Sequence, residues 1–127
     1  MNSQSIIDSV QFLENKISTV SLEAKGVYIQ GGSPEIKNSV LKNNYYGITL
    51  YASNSLVEDS RFESSTIGVN MPDVSGVFSN ITIKNDIFSG NPTGILLSET
   101  GTGTASNITI IQNVISNSFS LGILLLQ

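Results

Sequence analysis

Along the chain a glycine followed by an aliphatic residue recurs at Gly26-Val27, Gly47-Ile48, Gly68-Val69, Gly94-Ile95 and Gly122-Ile123, in steps of 21, 21, 26 and 28 residues. Two residues after each of those aliphatics stands a second large apolar residue: Ile29, Leu50, Met71, Leu97 and Leu125. A spacing of two marks one face of a β-strand. A second segment keeps the same discipline, with Ile7, Ile36, Val57, Ile83 and Ile110 each followed five residues later by Phe12, Leu41, Phe62, Phe88 and Ile115. Five columns therefore align across five repeats, and no helical period accompanies them. Repetition at about this period predicts a solenoid of short strands, in which each repeat buries its apolar face against its neighbours.

The spacing separates a fixed frame from variable loops. From the isoleucine column to the glycine column the distances are 19, 11, 11, 11 and 12, and from glycine to the next isoleucine column they are 10, 10, 15 and 16. The extra residues fall around Ser18 to Lys25, Pro72 to Ser79 and Ser98 to Ser106, and they predict loops that leave the stack without disturbing its columns. The position after the isoleucine column, Asp8, Lys37, Glu58, Lys84 and Ile111, points outward and alternates in charge, which favours neighbouring pairs. The next column, Ser9, Asn38, Asp59, Asn85 and Gln112, is wholly polar and predicts stacked amides at a bend.

Stretches such as Ile36-Lys37-Asn38-Ser39-Val40-Leu41 followed by Gly47-Ile48-Thr49-Leu50, and Ile83-Lys84-Asn85-Asp86-Ile87-Phe88 followed by Gly94-Ile95-Leu96-Leu97, carry a resemblance. The chain resembles the right-handed parallel β-helix repeat of pectate-lyase-like proteins over nearly its whole length. The expected fold is all-β: a right-handed parallel β-helix of about five coils, with residues 1–127 as one domain and part of a longer solenoid. Coils of 21 to 28 residues do not keep the hexapeptide register of a left-handed β-helix, and the leucine spacing of a leucine-rich repeat is absent. The resemblance implies an extracellular or cell-surface setting and acidic polysaccharide as ligand or substrate.

Composition narrows the chemistry. The 127 residues include 20 Ser, 13 Asn and 16 Ile, turn formers set among the strongest strand former. There is no His and no Cys, so an imidazole base, a thiolate nucleophile and a Cys/His zinc site are excluded within this chain. Six Lys and Arg against ten Asp and Glu give a net charge of -4, which argues against a nucleic-acid partner. No apolar run approaches eighteen residues, so membrane insertion through a helix is not expected.

Candidate sites are few. In the lyases that the chain resembles, calcium-binding acids and a basic residue lie outside one parallel sheet, and the counterparts implied here are Asp59 and Asp86 with Arg61 and Lys84. Asp73 and Glu99, on the two long loops, are candidate calcium ligands or a glycosidase pair; no other cofactor is expected. Tyr28, Tyr45, Tyr46 and Tyr51 crowd the first two full coils and suit a sugar-binding platform. The triplets Asn80-Ile81-Thr82 and Asn107-Ile108-Thr109 match a glycan acceptor, but both fall in the repeat frame. The sequence closes on Leu124-Leu125-Leu126-Gln127, so self-association or continuation through a terminal coil is expected. The leading functional expectation is a non-catalytic β-helix module that binds polysaccharide. A polysaccharide lyase or glycoside hydrolase is the alternative, and a structural spacer the second.

Overall fold

The computed structural model describes residues 4–14, 24–51, 54–72, 77–98 and 104–126. These residues pass five times through the same three strands. The first coil holds β1 (Ile6–Asp8), β2 (Gln11–Leu13) and β3 (Lys25–Gln30), and the second holds β4 (Glu35–Lys37), β5 (Val40–Lys42) and β6 (Tyr46–Tyr51). The third holds β7 (Leu56–Glu58), β8 (Arg61–Glu63) and β9 (Ile67–Met71), and the fourth β10 (Val77–Lys84), β11 (Ile87–Ser89) and β12 (Thr93–Ser98). The fifth holds β13 (Thr104–Ile111), β14 (Val114–Ser116) and β15 (Leu121–Leu126). Each strand pairs in parallel with its counterpart one coil away, giving three five-stranded sheets: β1-β4-β7-β10-β13, β2-β5-β8-β11-β14 and β3-β6-β9-β12-β15. The architecture is an all-β right-handed parallel β-helix of about five coils.

The apolar columns are the actual registers. Ile7, Ile36, Val57, Ile83 and Ile110 oppose one another in the first sheet, and Phe12, Leu41, Phe62, Phe88 and Ile115 do so in the second. In the third, Val27, Ile48, Val69, Ile95 and Ile123 form the corresponding row. The middle coils supply the fully buried members, and the Phe62 and Phe88 rings stack at 4.7 Å between centroids and 7° between planes. Ile81 is also fully buried and pairs with Ile108, an inward position revealed only by the alternation Ile81-Thr82-Ile83.

The glycine column has a steric cause. A Cβ on Gly47 would lie 2.4 Å from the Gly68 carbonyl oxygen, and one on Gly68 would lie 2.6 Å from both the Gly94 carbonyl oxygen and a Phe88 ring carbon. The backbone of each coil thus approaches the next too closely at this corner for any side chain.

Four expectations need correction. First, the polar column Ser9, Asn38, Asp59, Asn85 and Gln112 takes the left-handed conformation, with φ between 49° and 58°, and turns the chain from the first sheet to the second. Asn and Asp tolerate that region best, which explains their recurrence. The regular polar rungs stand one residue later, at Ser39, Ser60, Asp86 and Asn113, where the side chain of one coil accepts from the backbone amide of the coil before it. A second such series is Asn44, Ser65 and Asn91.

Second, Val77–Ser79 and Thr104–Ser106 are not loop: they extend β10 and β13 and pair with each other. Asn80 and Asn107, at positive φ, kink those strands back into the frame. Third, the column Tyr28, Thr49, Asn70, Leu96 and Leu124, which lies between the two apolar columns of the third sheet and is expected to face outward by the period of two, is not an open outer face, because Thr49 and Asn70 are buried. Fourth, the alternating charges pair only in part. Lys84 Nζ lies 2.8 Å from Glu58 Oε1, whereas Lys37 Nζ turns to Glu35 on its own strand at 2.7 Å.

Candidate functional site

The four residues singled out for catalysis do not form an open constellation. Asp59 is exposed at a left-handed bend, while Asp86 is fully buried among the polar rungs. Arg61, on β8, donates from Nη2 and Nε to Glu63 Oε1 at 2.6 and 3.0 Å, and that guanidinium holds the Glu63 carboxyl below its ordinary range. Lys84 is held by Glu58. A base for proton abstraction must offer a free lone pair to substrate; each of these two cations instead donates to a neighbouring carboxylate. Asp73 and Glu99 lie outside the described residues, and among the described residues no group of three or more Asp and Glu is gathered to hold a metal.

The tyrosines divide into two pairs at opposite ends of β6. Tyr45 and Tyr46 meet edge to face at the start of the strand, with centroids 4.8 Å apart and planes at 80°. Tyr51, at its end, meets Tyr28 from β3 in the coil before, at 5.5 Å and 56°. The register explains the second pair: Tyr28 opposes Thr49 and Gln30 opposes Tyr51, so the two rings lie on a diagonal of the sheet. Tyr28 is the most exposed of the four, at 49%, and the Lys25 ammonium sits 4.9 Å from its ring centroid. That cation over an aromatic face was missed by the sequence reading, which left Lys25 at the edge of an inserted loop. β3 in fact begins at Lys25, and no sequence signal pointed to the contact, because a spacing of three on an ideal strand puts two side chains on opposite faces.

Beside this pair a cavity of about 340 Å³ is lined by Ile7, Ile29, Tyr28, Gln30, the Gly31–Gly32 turn and Pro34. Gly31 and Gly32 take φ of 75° and 80°, which lets the chain turn sharply from β3 into the second coil and leaves the wall of the cavity free of side chains there. Its size falls within the range of small-ligand sites, and its lining mixes aliphatic surface with an amide, a phenol and backbone polar groups.

The two glycan-acceptor triplets serve the frame. Asn80 Nδ2 donates to Asn54 Oδ1 at 2.9 Å and Asn107 Nδ2 donates to Asn80 Oδ1 at 3.1 Å, a three-rung asparagine ladder on the rim of the first sheet.

A family model described as the right-handed beta helix region matches residues 25–126, which spans the second to fifth coils and the last strand of the first. No curated protein and no solved structure matches the chain. With the stacked parallel sheets and that match over most of its length, the chain belongs to the right-handed β-helix family.

Proposed function

We propose that the protein is a non-catalytic β-helix module of a larger surface or secreted protein, and that it binds polysaccharide at the Tyr28–Tyr51 end of its third sheet. One observation carries this reading: an exposed tyrosine, backed by a second ring and flanked by a lysine, lines a cavity beside the third sheet. Sugar rings present a polar rim and an apolar C–H face, and a phenol ring offers the apolar complement while its hydroxyl stays wet. Lys25 supplies positive charge for an acidic sugar. The polysaccharide class itself comes from the likeness to pectate-lyase-like proteins and rests on fold-level analogy. The lyase or hydrolase alternative is less well supported, because Arg61 and Lys84 are engaged by carboxylates and Asp86 is enclosed.

The test is calorimetric titration of the chain with an oligogalacturonide and, in parallel, with a neutral gluco-oligosaccharide, alongside an assay for product release. The expected result is binding without turnover, weakened about tenfold or more by Tyr28→Ala and by Tyr51→Ala and unchanged by Asp59→Asn. Binding that ignores both tyrosine substitutions contradicts the proposed surface. Product release sensitive to Asp59→Asn would restore the enzymatic alternative.

A further inference from the structure

The rungs at the first bend follow a rule with two parts. Where the rung is an asparagine, Oδ1 accepts from the backbone amide of the preceding coil, and Nδ2 donates to the carbonyl of a core residue in that same coil. Asn113 accepts from the Asp86 amide at 2.8 Å and donates to the Ile83 carbonyl at 2.9 Å. Asn91, at the second bend, accepts from Ser65 at 3.0 Å and donates to Phe62 at 2.8 Å. Asn44 likewise donates to Phe12, at 3.1 Å. Where the rung is Ser39 or Ser60, the hydroxyl donates to the carbonyl two residues earlier in its own coil. Asn113, Asn91, Ser39 and Ser60 are thus each both acceptor and donor, as enclosed polar groups require.

Asp86 occupies the same rung in the fourth coil. Its Oδ1 accepts from the Ser60 amide at 2.7 Å, which fulfils the first half of the rule. Its Oδ2 stands where an asparagine carries Nδ2, is buried, and has no hydrogen-bond partner. The core carbonyl in register for the second half is that of Val57, which opposes Ile83 as Ile83 opposes Ile110. A carboxylate has nothing to donate there; the neutral acid has one O–H.

We propose that Asp86 is a proton-dependent rung: as the neutral acid it donates from Oδ2 to the Val57 carbonyl, and loss of that proton loosens the third coil from the fourth. The surroundings agree. Burial lifts the Asp86 carboxyl to about 7, opposed by the backbone amides of Ser60 and, more weakly, Lys84 and reinforced by the negative charges of Asp59 and Glu58 in the third coil. On its own coil the nearby cation, Lys84, is paired with Glu58. On the fifth coil the facing positions Ile111, Gln112 and Asn113 carry no charge. Across the bend Arg61 is engaged with Glu63.

The sign follows from linkage. A carboxyl whose folded value lies above its ordinary 3.8 binds its proton more tightly in the native state. Stability from this group is therefore greatest in acid, falls as pH rises from about 4 to about 7, and is level above that. The carboxyls of Asp8, Glu35 and Glu63, all held low, act in the opposite sense and at lower pH.

The experiment is denaturant unfolding of the full chain across about pH 4 to pH 9, for wild type, Asp86→Asn and Asp86→Ser, the serine being the residue that the second and third coils use at this rung. The ratio of folding constants, variant to wild type, removes the shared titration of other groups. It is expected to rise by up to tenfold per pH unit through the acid-to-neutral interval and then to level off. An infrared carbonyl band of a protonated carboxylic acid should persist in wild type at about pH 5.5, above the ordinary carboxylate range, and should be missing from either variant. A pH-independent ratio, or no protonated acid in wild type at that pH, would overturn the proposal. If one variant fails to fold, the other and the wild-type infrared titration still decide it.

Discussion

At the residue scale, the fold is specified by positions where a single atom decides the outcome. Gly68 illustrates the point. Replacing it with alanine places a methyl carbon 2.6 Å from a carbonyl oxygen and from an aromatic ring, and neither a paired backbone nor a stacked Phe88 yields easily. Overpacking of this kind costs about 1–3 kcal/mol. Gly68→Ala is therefore expected to lower the urea midpoint without changing the slope of the transition, whereas Gly31→Ala meets no atom within 4 Å and bears only the strain of its positive φ. The recurring glycine was visible in the sequence as a marker of the repeat. Its cause was not, because backbone-to-backbone approach between coils is a property of the stack rather than of any one coil.

At the scale of the element, strands of three residues are too short to hold themselves together, and the rungs at the bends complete them. Asn91 satisfies the Ser65 amide above and the Phe62 carbonyl beside it, both enclosed. Asn91→Ala leaves the buried Ser65 amide without its partner, at about 1–3 kcal/mol, and removes one of the donors to the Phe62 carbonyl. The expected loss is about 1–3 kcal/mol by equilibrium unfolding, above the effect of breaking a half-exposed ion pair such as Lys84–Glu58. The sequence showed that polar residues recur at the bends but placed the stacked amides one residue too early. Period-2 counting assumes extended backbone, and the left-handed residues at Asn38, Asp59 and Asn85 break that count. The same assumption made loops of Val77–Ser79 and Thr104–Ser106, since Asn80 and Asn107 hide the continuity of their strands.

At the scale of the whole molecule, the four apolar columns read from the sequence alone became registers of the three sheets, so the architecture was almost fully legible. The candidate site was much less so. The four tyrosines were singled out as candidates, but their division into two pairs and the company of Lys25 depend on sheet register and on contacts between neighbouring coils. Asp86, set down first as a catalytic candidate, lies in the structure's interior, because a repeat that demands polar residues at each bend disguises an unusual member as an ordinary one. The most direct test of the stacked columns is a thermal melt, followed by far-ultraviolet circular dichroism, of Ile83→Asp. Ile83 is fully enclosed between Val57 and Ile110, so an aspartate there has no water and no partner. The stacked-coil account predicts loss of the cooperative transition or a large fall in melting temperature; a variant that melts with its parent would contradict it.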